Sequence, residues 1–346
     1  MSAKTYAINE APVSIQTLTQ LFLEAVDRFG SRAAFGRITE DLQVEELGYV
    51  AVLEEVRRVA GALEAHGVLR GDRAAILSPN RLEWALVDYG SLCSGVVVVP
   101  VYPTLTASQI AYILRDSGAK MVFVPDADLM EKAVEARAEC AHEVQVVVFD
   151  APEGLPDGVT SWSRFLADGR EQVERLPEEE FRARALQAEP DEVATILYTS
   201  GTTGDPKGVM LTHGNVGSNV DASRFVLGFH EDDVAVSFLP LSHIFQRMVD
   251  YLFFSAGVTV VHANGLDASD LDAIADAGAG VALTPVSDMT TGPGAPPMQD
   301  ILDRSIRPGL GVGDELEGPG DLLAHVVDLH LGHVAPDRKR HDRGGG

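Results

Sequence analysis

Apolar positions along this chain recur in two alternating rhythms. Tyr49, Val52, Leu53, Val56, Val59, Ala60 and Leu63 fall three or four apart at most steps and stop before Gly67, the stripe of an amphipathic helix. A short apolar run, RAAILS from Arg73, comes next, followed by a helical stretch from Leu82 to Leu92 and the run VVVVPV ending at Val101. The alternation continues with a helix around Ile110 to Leu114, KMVFV from Lys120, a helix from Leu129 to Ala141, and VQVVVF from Val144. Strands that are apolar throughout need cover on both faces. The pattern therefore predicts an α/β fold of layered, mostly parallel sheets with flanking helices.

The segment from Ala151 to Pro190 is richer in Pro, Gly and Glu and reads as a surface excursion. The run VATIL from Val193 then restores the strand rhythm, and VML from Val209 reads as a returning strand. Asn215 is the expected cap of a helix running through Leu227. Further on, VAVSFLP is a strand, Ile244 to Ser255 a helix, and VTVV another strand. His243 and Arg247 are four apart, so they share one helix face. Arg247 is expected at the surface or behind a site.

Composition narrows the function classes. A length of 346 residues exceeds what one core comfortably serves, so two units are expected. A hydrophobic content of 45% with 23% charged residues is that of a globular chain in water. The net charge of −25 argues against nucleic acid or an anionic membrane as the main partner. An anionic ligand would have to be held by local cations. Cys93 and Cys140 lack metal-ligand spacing and read as ordinary thiols of a reducing compartment. The first residues, MSAKTYAINEAPVS, do not have the basic-then-apolar order of a secretory signal. The apolar stretches around Gly95 to Tyr102 and Tyr251 to Val261 are too short to span a bilayer. A cytoplasmic location is the expectation.

The strongest chemical signal is the run YTSGTTGDPKGVMLTHGN, from Tyr198 to Asn215. Ser200, Thr202 and Thr203 supply hydroxyls. Gly201, Gly204 and Gly208 let the backbone turn its N–H groups inward, and Lys207 adds a mobile positive charge. Such a loop suits a phosphate chain. It is not a Walker loop, because Val209 follows Lys207-Gly208 where that pattern needs Ser or Thr directly after the lysine.

The run resembles the signature loop of the adenylate-forming (AMP-binding) superfamily. Upstream, GDRAAILSPNRLEWALVDYGSLCSGVVVVPVYPTLTASQIAYILRDSGAKMVFV (Gly71 to Val124) is similar to that family's early strand–helix core. Downstream, FLPLSHIFQRM (Phe238 to Met248) looks like the stretch near the acyl pocket of long-chain fatty acyl-CoA synthetases. The resemblance implies ATP-dependent activation of a fatty acid through an acyl-adenylate, followed by transfer to coenzyme A. It implies Thr199 and Lys207 as catalytic residues. Thr199, Ser200, Gly201, Thr202, Thr203, Gly204, Lys207 and His243 would be the binding set, with the Thr199 hydroxyl beside Mg²⁺. ATP, Mg²⁺, coenzyme A and a fatty acid are the implied cofactors and partners. Nucleic acid is not among them, there is no transmembrane segment, and peripheral membrane contact stays open.

The resemblance covers roughly residues 10 to 265. The family's later segments (aromatic-Gly-x-Thr-Glu, an Asp for the ribose, a C-terminal lysine) have no counterpart here, and Gly313-Asp314 lies in unmatched surroundings. The expected organisation is a partial AMP-binding N-terminal domain over 1–265 and an atypical Gly/Pro/Asp-rich tail over 266–346. After Phe254 the chain contains no further Phe, Tyr or Trp. Two accounts of the tail stand side by side: codons read out of phase, giving a truncated product, or a genuine Pro/Gly-rich segment, partly disordered. His325, His330, His333 and His341 read as solvated histidines, and Asp267, Asp270 and Asp272 as a solvated turn. The alternative to an active ligase is a catalytically dead remnant or binding module of the same family.

Overall fold

The computed structural model describes residues 15–38, 44–199, 206–227, 229–231, 233–262, 280–283 and 307–310. Helix α1 (Leu18–Phe29) opens in a capping box, with Thr17 accepting from the Gln20 backbone and Gln20 returning a bond to Thr17. Strands β1 (Ala33–Ile38) and β2 (Val44–Gly48) pair antiparallel before α2 (Tyr49–Ala65). Next come β3 (Arg73–Leu77), α3 (Leu82–Cys93), β4 (Val97–Val101), α4 (Ala107–Ser117), β5 (Met121–Val124), α5 (Ala127–Ala138) and β6 (Gln145–Val148). The predicted alternation thus holds, and the strands pair parallel.

The segment expected to be a surface excursion is built differently. It forms β7 (Val159–Ser161), which extends the sheet, and three short helices, α6 (Trp162–Asp168), α7 (Arg170–Arg175) and α8 (Glu178–Ala185). Phe165 and Phe181 are buried in the main core. The backbone approaches α2 so closely that a Cβ on Gly61 would meet the Gly169 carbonyl oxygen at 2.8 Å and Val173 Cγ2 at 2.7 Å. Trp162, Leu166 and Leu176 pack against the same core around Phe165 and Phe181.

The chain then forms β8 (Val193–Thr199), β9 (Lys207–Thr212), α9 (His213–Val226), β10 (Val234–Ser237), α10 (Ile244–Ala256), β11 (Thr259–His262), β12 (Gly280–Leu283) and β13 (Arg307–Leu310). The cap of α9 is Thr212. Asn215, expected to be the cap, is instead the reciprocal third residue of the capping box. β12 and β13 fall within 266–346. The tail histidines, and Asp267, Asp270 and Asp272, lie outside the described residues.

Two sheets result. One has seven strands in the order β7-β6-β5-β3-β4-β8-β9, and the other has six in the order β13-β12-β10-β11-β1-β2. A helical layer joins them: α3 touches β3 and β4 of the first sheet and β1 of the second, and α10 packs on β10 and β11. This layer carries most of the aromatic core, with Phe22, Tyr89 and Phe254 in mutual ring contact. The other face of the seven-stranded sheet is covered by α4 and α5 through a second, aliphatic cluster. Among the described residues no helix is long and apolar enough to cross a membrane. Cys93 is buried and Cys140 half-buried, both unpaired.

Candidate functional site

β3, β4 and β8 run parallel, so their carboxyl ends share one edge of the seven-stranded sheet. Ligands of open α/β sheets collect at such an edge. The strand ends that flank the signature loop meet there. β8 ends at Thr199 and β9 returns from Lys207 as an antiparallel partner, with Thr199 directly opposite Lys207. Directly opposed residues of an antiparallel pair project from the same face. A hydroxyl and an ammonium group are therefore presented together at the mouth of the hairpin. Both residues are exposed, and no ion pair joins Lys207 to another described residue. Ser200, Gly201, Thr202, Thr203 and Gly204 lie between them, outside the described residues.

The mouth is anchored on both faces of the sheet. On the outer face, Tyr198 Oη donates to Asp116 Oδ2 of α4 at 2.6 Å, and its ring meets Tyr112 edge-on. Burial and the Asp116 carboxylate push the Tyr198 phenol upward, so the hydroxyl stays a donor. On the inner face, Thr195 Oγ1 donates to the Val98 carbonyl at 2.7 Å and accepts from Arg247 Nη1 of α10 at 2.7 Å.

Of the two places expected for Arg247, the surface is therefore excluded. Its side chain is 1% exposed and forms an ion pair with Asp88 of α3, which is 3% exposed. Nε donates to Asp88 Oδ2 at 3.0 Å, Nη2 bonds the other carboxylate oxygen, and Tyr251 Oη donates to Oδ2. The guanidinium also lies 5.5 Å from the Trp84 ring. Burial opposes the charge, yet Asp88 outweighs it and holds Arg247 above its ordinary value.

His243 caps α10, its Nδ1 accepting from the Phe245 backbone at 3.2 Å. A neutral ring with Nδ1 accepting carries its proton on Nε2. The approach to this turn is held by Asn80, just beyond β3 and 3% exposed. Asn80 Nδ2 donates to the Ser237 and Leu239 carbonyls at 3.1 and 2.7 Å, and Oδ1 accepts from the Leu241 N–H at 2.8 Å. A second buried array follows. Asp250 accepts from Ser237 Oγ at 2.9 Å and Gln246 Nε2 at 2.6 Å, and lies 3.2 Å from His262 Nε2. Asp88 and Asn80 escaped the reading by pattern. Asp88 had one visible signal: it is the lone charged residue in the stretch from Trp84 to Cys93 of α3, all of which is buried.

The structure brings Thr199 and Lys207 together and sets His243 at the start of the helix that Arg247 ties to the same strand. Among the described residues there is no group of three or more His, Cys, Asp or Glu side chains able to hold a metal. A cavity of about 330 Å³ lies elsewhere, at the amino ends of β3, β4 and β8, between Gly61, Cys93, Val173, Phe181 and the paired Arg57 and Arg184. It contains none of the predicted site residues.

The AMP-binding enzyme family matches residues 22–302. Among curated relatives, the chain is 33% identical over 258 residues to "Long chain acyl-CoA synthetase 7, peroxisomal" of Arabidopsis thaliana, covering 71% of this chain and 35% of that protein. It is 29% identical over 240 residues to "Long-chain-fatty-acid--CoA ligase ACSBG2" of Xenopus laevis, covering 68% and 32%. The chain thus spans about a third of the length of these relatives. Among solved structures, it is similar to the inhibitor-bound N-terminal domain of FACL13 from Mycobacterium tuberculosis, with a TM-score of 0.66 at 23% identity over 86% of this chain and 76% of that one.

Proposed function

The chain belongs to the AMP-binding enzyme family, and from that membership we propose that its hairpin binds the phosphates of ATP for activation of a long-chain fatty acid. The carboxylate would displace pyrophosphate from ATP to give an acyl-adenylate, whose acyl group would pass to the thiol of coenzyme A with release of AMP. The observation that carries this reading is the pairing of Thr199 with Lys207 at the carboxyl edge of the sheet. Attack of a carboxylate on the α-phosphate concentrates negative charge on phosphate oxygens. Oriented donors and a cation stabilise that charge, and no nucleophilic side chain is required. Lys207 supplies the cation and the Thr199 hydroxyl a donor. The hydroxyls and N–H groups of Ser200, Gly201, Thr202, Thr203 and Gly204 would complete the cradle, with His243 beside it.

Mg²⁺ fits this donor set in one way. With no carboxylate cluster among the described residues, the ion would be held mainly by phosphate oxygens and water, with Thr199 at its side, as Mg²⁺ tolerates well. There it would neutralise charge on the phosphates. The long-chain acyl class is supported by the names of the curated relatives. A cytoplasmic location belongs to the same proposal, and peroxisomal proteins stand among those relatives. A second reading stands beside the first: a catalytically dead remnant or binding module of the same family, which binds nucleotide without turning over.

Calorimetric titration with Mg·ATP tests the common part. Micromolar binding is expected, weakened about 10- to 100-fold by Lys207→Ala, the worth of one charged hydrogen bond. No binding by folded wild type would overturn the reading. Pyrophosphate exchange driven by a long-chain fatty acid separates ligase from module.

A further inference from the structure

Two elements must keep a fixed relation if they serve one ligand: the β8–β9 hairpin and the first turn of α10. Apolar packing resists their separation but discriminates weakly between neighbouring positions. Hydrogen bonds to buried polar or charged groups discriminate strongly, because a small displacement leaves such a group without its partners. Such bonds occur at the two places where they would matter. Arg247 lies one turn beyond His243 and donates to Thr195. Thr195 is four residues before Thr199, about 13 Å along the strand. Asp88 holds the remaining edge of the guanidinium, so its orientation is set from α3. Asn80, at the carboxyl end of β3, grips three backbone groups of the Ser237–Leu241 loop that leads into His243. Both clasps run from the seven-stranded sheet and its helix α3 to α10 or its leading loop.

We propose that Arg247, seated by Asp88 and Thr195, and Asn80 are positioning residues that set the His243 turn of α10 against the Thr199–Lys207 mouth. Their consequence for a ligand rests on the nucleotide reading above, whereas the clasp itself rests on geometry alone.

Thr195→Val is the sharpest test, since it removes the acceptor for Arg247 while keeping the size of the side chain and the Asp88 pair. Phe165→Leu, in α6, is the control, a core defect outside the clasp. Amide hydrogen exchange is followed over 196–199, 207–210 and 241–245 under conditions matched for global stability. Thr195→Val is expected to raise exchange at least tenfold in these segments, and Phe165→Leu to leave them at the wild-type rate. Unchanged exchange in Thr195→Val, or an equal rise in the control, would overturn the clasp. Should Thr195→Val fail to fold, Arg247→Lys is read the same way, because it keeps the charge and loses the fork. ATP affinity supplies the second readout, with loss in Thr195→Val and none in Phe165→Leu. Raised exchange beside unchanged affinity would overturn the positioning role. If wild type binds no ATP, the functional reading falls, and the exchange data still decide the clasp.

Discussion

The two faces of the seven-stranded sheet are covered by different chemistry. The outer face meets α4 and α5 through aliphatic side chains such as Leu77, Val99, Ile113, Leu114 and Val122. The inner face carries the Asp88–Arg247 pair, Thr195 and Asn80, all buried among apolar and aromatic side chains. The outer helices need only exclude water, and aliphatic packing achieves that with no desolvation cost. The inner layer must also hold α10 at a set position against the hairpin. A buried ion pair adds little net stability compared with well-packed hydrocarbon. Its use on one face alone therefore points to orientation, which apolar contact supplies poorly.

The largest expected effect tests that contrast directly. Asp88→Ala strands Arg247 in the core and should lower unfolding free energy by about 3–5 kcal/mol in a denaturant titration. Ile113→Val on the outer face removes one methylene and should cost about 1 kcal/mol. Replacing the whole pair, as Asp88→Leu with Arg247→Met, should recover most of the loss, because no unpaired charge remains. If Asp88→Ala costs no more than Ile113→Val, the pair is solvated and the contrast between the faces breaks.

A second effect also belongs to the inner layer. His213 opens α9, is 2% exposed, and has Nδ1 buried without a partner. Burial drives its pKa down to about 4, with Arg247 and Arg70 lowering it further against an opposing pull from Glu192. The positive end of the helix it begins also disfavours a charged ring. Above pH 6.5 the ring is neutral in both folded and unfolded chains and stability is unaffected. As the pH falls from 6.5 towards 4, the unfolded chain takes up the proton and the native one does not. Stability is therefore lost across that window, by about 3 kcal/mol, and the loss levels off below pH 4. His213→Asn should flatten this part of the stability–pH curve. An unchanged slope in the variant would assign it to other groups.

These effects sort by what a single sequence can reveal. Helices α2, α3 and α10 and strands β3, β4, β5 and β8 follow from local rhythm and lie within a few residues of their expected bounds. The hydroxyl–glycine–lysine loop was legible for the same reason, since its chemistry is contiguous. Helices α6, α7 and α8, of seven, six and eight residues, are too short to show a helical period, and their anchors Phe165 and Phe181 lie in separate helices 16 residues apart. The sequence leaves Arg247 between the surface and a place behind the site because its partner Asp88 is 159 residues away. The helix is visible, and which of its faces is buried is not. Four-residue spacing identifies which residues share a face of α10, and only tertiary contact decides which face is buried.

The smallest effect asks where the contrast between the faces should vanish. α4 on the outer face and α9 on the inner side begin with the same device, Thr106 with Gln109 and Thr212 with Asn215. In both, the threonine hydroxyl accepts the third residue's N–H, and that residue's side chain returns the bond. Cap chemistry is local, so neither face should alter it. Thr106→Ala and Thr212→Ala should each cost about 1 kcal/mol by thermal or denaturant unfolding. Equal losses would confine the difference between the faces to the buried pair and Asn80. A clearly larger loss at Thr212 would mean that the cap also braces β9, whose last residue it is. The clasp on the hairpin would then extend from α10 to α9.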